Sequence, residues 1–205
     1  MITPYEQLFN WPNLLTLARI TVIPLLVVFF YLPVTWSHGA AAFLFLIASM
    51  TDWLDGYLAR YLKQSTKLGA FLDPVADKLM VCIALVLIVA EPTFQFIVVG
   101  ATAIAIPAAT ITLPAAVIVS REIIVSALRE WMAELGKRKS VAVSTLGKVK
   151  TAVQMIAMVI LLYCDSGTHY SFVILGIILL YLAAILTIWS MFFYLKAAWI
   201  ELASV

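Results

Sequence analysis

Polar residues punctuate this chain sparsely. Between them lie six long apolar runs, at residues 13–33, 39–61, 70–90, 94–119, 141–163 and 170–195. Each is near or above the roughly 20 residues that carry a helix across about 30 Å of hydrocarbon. A membrane-spanning strand would alternate apolar and polar positions about every second residue, and the stretch MVCIALVLIVA at 80–90 does not. Helices follow, because lipid offers no partner to an unpaired backbone amide or carbonyl. The expected fold is an all-α integral membrane protein of six transmembrane helices, with residues 1–205 forming a single membrane domain. Phe9 and Trp11, ahead of Pro12, suit a short N-terminal interfacial helix. Pro107 and Pro114 interrupt the fourth run, so they either kink it or keep 94–119 from forming one clean helix.

The connections divide by charge. Residues 33–38 (PVTWSH), 91–94 (EPTF) and 165–169 (DSGTH) contain no Lys or Arg. The alternate connections carry Arg60, Lys63 and Lys67, then Arg121, Arg129, Lys137, Arg138, Lys139, Lys148 and Lys150, with Lys196 after the last run. Basic residues mark the cytoplasmic side, so both termini are expected inside, which requires an even number of spans. Composition agrees. Apolar residues make up 64% of the chain and charged residues 12%, about half the share of a soluble domain. A soluble enzyme, a disordered tail or a nucleic-acid-binding module is thereby excluded. The first ten residues lack the basic start of a signal peptide, and none is expected. Cys82 and Cys164 do not form a disulfide framework, and Cys82 is expected simply to pack.

Of five aspartates, four (Asp52, Asp55, Asp73 and Asp77) fall within 26 residues. Ionisable groups at helix depth are costly and point to function. Asp52 and Asp55 are i, i+3 near the end of the second run; Asp73 and Asp77 are i, i+4 near the start of the third. Each pair shares a helix face, and a turn between the helices brings the pairs opposite one another. Four carboxylates together repel unless cations neutralise them, and an all-oxygen set suits Mg²⁺ or Mn²⁺, with two ions plausible. Gly56 and Ala59 leave room on the same face for close approach of a ligand. Arg60 is placed to pair with a carboxylate or a phosphate. A structural account exists for one member, since Asp73 before Pro74 has the form of a helix N-cap, but it does not extend to all four.

Residues 52–77 read DWLDGYLARYLKQSTKLGAFLDPVAD. They match every fixed position of D-x2-D-G-x2-A-R-x8-G-x3-D-x3-D, and the chain thereby resembles the CDP-alcohol phosphotransferase family. NWPNLLTLARI at 10–20 is similar to that family's N-terminal segment. Residues 120–143 and 147–155 resemble the bacterial branch that uses sn-glycerol 3-phosphate as acceptor and makes phosphatidylglycerophosphate. The resemblance implies six transmembrane helices, a homodimer and a site open to the cytoplasmic side of a bacterial inner membrane. It also implies transfer of a phosphatidyl group from CDP-diacylglycerol to glycerol 3-phosphate with release of CMP.

Under that resemblance Asp52, Asp55 and Asp73 are metal ligands. Asp77 lies by the same two ions and is the candidate general base. A neighbouring cation lowers carboxylate basicity, so two roles stay open for Asp77: base, or relay beside a metal-acidified hydroxyl. CDP-diacylglycerol is expected over Gly56 and Ala59, with Asn13, Thr16, Arg19, Asp52, Arg60 and Gly69 around it. The acceptor's own phosphate needs separate cations, for which Arg121, Lys148 and Lys150 are the candidates. Lys137, Arg138 and Lys139 read instead as a solvated inside loop. Arg129 is expected to pair with Glu122 and Glu130. His38 and His169 fall in outer connections, away from the aspartates. Rival readings are another acceptor alcohol (serine, choline or inositol phosphate) or a divalent-cation transporter. A transporter would spread carboxylates through membrane depth, whereas these gather at one end.

Overall fold

The computed structural model describes residues 11–62, 67–99, 102–136 and 145–202. Among them are six α-helices: α1 (Trp11–Tyr31), α2 (Ser37–Leu62), α3 (Lys67–Ala90), α4 (Ala109–Glu134), α5 (Thr145–Tyr163) and α6 (Tyr170–Leu202). Between α3 and α4 lie a 3₁₀ turn at Pro92–Gln95 and two short strands, β1 (Phe96–Val99) and β2 (Thr102–Ala105). The contacts divide the chain into two compact units, 1–90 with 162–166, and 91–161 with 167–205. Of the interfacial segment expected around Phe9 and Trp11, residues 1–10 lie outside the described residues, and Trp11 is the first residue of α1.

In the first unit α1 packs on both α2 and α3, and α2 packs on α3. The reason is visible in the spacing on α1. Thr16, Arg19, Ile23, Leu26 and Phe30 are buried, alternately three and four residues apart, and so form one stripe. Leu14, Leu17, Leu25, Val28 and Tyr31 on the other faces are exposed, although just as apolar. A helix that is apolar on both its buried and its exposed sides fits lipid rather than water. The partner α2 buries Ala41, Ala42, Phe45 and Ala48. Three alanines among these four let the backbones approach closely, as helices in membranes require. On α3, Ala76, Met80, Ala84 and Ile88 complete the core. Cys164, just past α5, is buried beside Asp165; burial first, and then that neighbouring carboxylate, push its thiol up to about 11.

In the second unit the Glu91 carboxylate opens the 3₁₀ turn by accepting from Thr93 N at 3.2 Å and Thr93 Oγ1 at 2.6 Å. The strands pair antiparallel, with Phe96 opposite Ala105 and Val99 opposite Thr102. Of the two outcomes left open for 94–119, the structure has the second: the run does not form one clean helix. Strands occupy 96–99 and 102–105, Pro107 stands before the helix, and α4 begins only at Ala109. Pro114 is tolerated inside α4, where it is buried. The helix then continues past residue 119 through the charged stretch to Glu134. It packs on α6, with Val125 and Met132 against Tyr194 and Ala198, flanked by Leu128 and Met191. A Cβ on Gly176 of α6 would lie 2.6 Å from Leu161 Cδ2 and 2.8 Å from Leu161 Cγ, so α5 and α6 meet where a side chain is missing.

Three helical stretches among the described residues are long and apolar enough to cross a membrane: Leu14–Tyr31, Ala109–Glu134 and Tyr170–Trp199. Ser37–Thr51 and Val149–Tyr163 are shorter apolar stretches. The described residues are thus all-helical apart from one small hairpin, with several helices suited to a bilayer.

Candidate active site

Gly69, Asp73 and Asp77 follow one another at i+4 intervals along α3 and so share a face. Gly69 is buried, and both aspartates are partly buried. The hydroxyl of Thr16 on α1 donates to Asp73 Oδ1 at 2.5 Å, across 57 residues of sequence. Thr16 is fully buried, and Arg19, on the same stripe of α1, is 2% exposed. The N-terminal segment and the second half of the acidic motif are thereby joined directly. A buried hydroxyl held on a carboxylate fixes one of its oxygens and leaves the other available.

The form of an N-cap suggested for Asp73 is not what the structure contains. The helix starts at Lys67, so Asp73 and Pro74 lie inside it. Pro74 has no N–H to give to the carbonyl four residues earlier, a local cost next to the motif. Asp52, Asp55, Gly56, Ala59 and Arg60 occupy helical positions in the C-terminal part of α2, which ends at Leu62, before α3 starts at Lys67. Their side chains lie outside the described residues, as do those of Asn13 on α1 and Lys148 on α5. Among the described residues no three His, Cys, Asp or Glu side chains gather closely enough to hold a metal ion. Asp73 and Asp77, a turn apart on one face, are the part of the expected ligand set that is described. As hard oxygen donors they fit a divalent cation.

A second cluster lies wholly within the second unit. Glu122 Oε1 accepts from Lys150 Nζ at 2.6 Å and from Arg121 Nη1 at 3.0 Å. Lys150 is 1% exposed and Arg121 8%. Two cations thus meet on one carboxylate in a largely dry setting, where charge-assisted hydrogen bonds are strong. Arg121 also lies 5.7 Å from the centre of the Tyr194 ring. Arg129 stands 5.0 Å from the same ring and donates Nη2 to the Tyr194 hydroxyl at 2.9 Å. The pairing expected between Arg129 and Glu122 is therefore corrected: Glu122 is taken by Arg121 and Lys150, and Arg129 by Tyr194.

Arg121 and Lys150 were legible as candidates; Glu122 as their shared partner, and Tyr194, were not. Glu122 and Lys150 are 28 residues apart, which no local periodicity reports. His38, at the start of α2, stacks on Phe30, with ring centres 4.5 Å apart. It stands at the end of α2 opposite the aspartates. His169 stacks on Tyr170 at 4.5 Å.

A helical membrane-type fold carrying an aspartate motif of this spacing defines a class of lipid-modifying transferase. A model of that class, described as CDP-alcohol phosphatidyltransferase, matches residues 9–189, and the chain belongs to this family. Its relatives include the CDP-diacylglycerol--glycerol-3-phosphate 3-phosphatidyltransferase of Escherichia coli (strain K12), 53% identical over 191 residues, which are 93% of this chain and 95% of that protein. Proteins with the same name from Shigella sonnei (strain Ss046) and Shigella flexneri serotype 5b (strain 8401) show the same identity and coverage.

Proposed function

We propose that this protein transfers the phosphatidyl group of CDP-diacylglycerol to sn-glycerol 3-phosphate, yielding phosphatidylglycerophosphate and CMP. The observation that carries this reading is the 53% identity spread over 93% of the chain to relatives of that name. Residues 1–205 act as one catalytic membrane domain of six spans in a bacterial inner membrane. Both termini and the site face the cytoplasm, and the working form is a homodimer.

Two divalent cations, Mg²⁺ or Mn²⁺, are assigned to Asp52, Asp55, Asp73 and Asp77. Their contribution is to neutralise the diphosphate and the charge that develops on the departing CMP. Thr16 orients Asp73 through its hydroxyl. Asn13, Thr16, Arg19, Gly56, Ala59, Arg60 and Gly69 receive the CDP part of the donor, the small residues by leaving space and the arginines by charge. Arg121, Lys148 and Lys150 bind the acceptor phosphate. Asp77 removes the proton from a primary hydroxyl of glycerol 3-phosphate. That oxygen then bonds to the phosphorus bearing the diacylglycerol as the bond from this phosphorus to CMP breaks.

The purified protein in lipid, given CDP-diacylglycerol and Mg²⁺ or Mn²⁺, is expected to release CMP with glycerol 3-phosphate and to stop when the metal is chelated. Release with serine or inositol phosphate, and none with glycerol 3-phosphate, would assign a different acceptor.

A further inference from the structure

The acceptor of the proposed reaction is an anion, yet the described cationic cluster has a carboxylate at its centre. Within the second unit the Glu122 carboxylate on α4 touches both Lys150 Nζ of α5, at 2.6 Å, and Arg121 Nη1 of its own helix, at 3.0 Å. An acid in an anion site lowers its total charge, so it must contribute something other than attraction. The geometry supplies that contribution. Lysine and arginine side chains are long and rotamer-rich, and an anion binds them more weakly if it must also order them. A short bond from one carboxylate oxygen to each cation fixes both heads before any ligand arrives. Arg121 is braced from a second direction by the Tyr194 ring, 5.7 Å away.

We infer that Glu122 is a positioning residue of the acceptor-phosphate site. It holds Arg121 and Lys150 in the arrangement that receives the phosphate of glycerol 3-phosphate, without touching that substrate. This rests on the reading of Arg121 and Lys150 as acceptor ligands, and it adds a residue of the opposite charge whose part is preorganisation. Removing the carboxylate raises the positive charge of the cluster. Simple attraction would then tighten binding of the anion, whereas loss of positioning weakens it, so the two accounts differ in sign.

The test compares steady-state kinetics of Glu122→Gln, Glu122→Asp, Arg121→Gln and Lys150→Gln in the full-length protein reconstituted in lipid, varying each substrate in turn. Glu122→Gln is expected to raise KM for glycerol 3-phosphate about tenfold or more. KM for CDP-diacylglycerol and kcat should stay within about twofold of wild type, as expected when only binding of one substrate is lost. Glu122→Asp, which keeps the charge on a shorter arm, is expected to recover part of the loss. It also carries the same comparison if Glu122→Gln fails to fold. An unchanged or lowered KM for glycerol 3-phosphate in Glu122→Gln, with raised values in Arg121→Gln and Lys150→Gln, overturns the role of Glu122 alone. Unchanged values in Arg121→Gln and Lys150→Gln overturn the acceptor site itself. Equal increases for both substrates in Glu122→Gln make its effect a general structural one and overturn the inference.

Discussion

Thr16 sits in a run that hydropathy alone would hand to lipid, yet its hydroxyl is committed to the Asp73 carboxylate. Thr16→Val keeps the shape and removes the donor. A hydrogen bond to a charged group contributes about 1.5–3 kcal/mol, so kcat/KM is expected to fall about tenfold or more with the helices intact by circular dichroism. Asp77, one turn beyond Asp73, tests the proposed chemistry more directly. Asp77→Asn should abolish CMP release while the protein still elutes and unfolds like wild type; full activity would remove Asp77 as base or essential ligand. Neither residue's contacts were legible in full. The i, i+4 spacing of Asp73 and Asp77 follows from the motif and is found on α3, but the Thr16 hydroxyl reaches Asp73 across 57 residues, a separation that periodicity does not encode.

At the level of helices, five of the six apolar runs correspond to α1, α2, α3, α5 and α6, with ends displaced by several residues. The fourth does not, and the reason is physical. Hydropathy measures transfer from water and is blind to backbone dihedrals. Phe96, Ile97, Val98 and Val99 are as apolar as any helix here, but aromatic and β-branched residues are also strand formers. Pro107 then separates the hairpin from α4. The apolar run stops at residue 119, but the helix does not: Arg121, Glu122, Arg129, Glu130 and Glu134 are helix formers, and α4 runs through them. Gly176 shows what holds the second unit's helices close. Gly176→Ala adds about 1 kcal/mol of helix propensity, but its methyl would collide with the buried Leu161, an overpacking cost of about 1–3 kcal/mol. The net effect is expected to be a lower unfolding temperature, larger for Gly176→Leu. Leu161→Ala should lower the unfolding temperature by less in the Gly176→Ala background than in wild type, because the added methyl takes up part of the cavity.

For the whole molecule, the proposed six spans with both ends inside can be checked by labelling. The Cys164 thiol, buried and pushed up to about 11, is almost entirely protonated near neutral pH and reacts poorly, because only the thiolate is nucleophilic. With Cys82 replaced by alanine, an introduced cysteine therefore reports its own side of the membrane. Thr35→Cys, between α1 and α2, should react with an impermeant maleimide in intact cells. Glu134→Cys, at the end of α4, should react only after the cells are opened; the reverse pattern would invert the topology. The uninterrupted course of α4 carries a further consequence. At 26 residues it is about 39 Å long, more than the roughly 30 Å of a hydrocarbon layer, with Arg121 and Glu122 at its midpoint and Arg129 on its second half. The bilayer then works as a ruler: acyl-chain length sets how far those groups stand clear of the oil. Vesicles of long-chain phosphatidylcholine should draw them inward and raise KM for glycerol 3-phosphate several-fold over short-chain vesicles. The host lipid would in that way tune the enzyme's demand for its water-soluble substrate without ever entering the reaction.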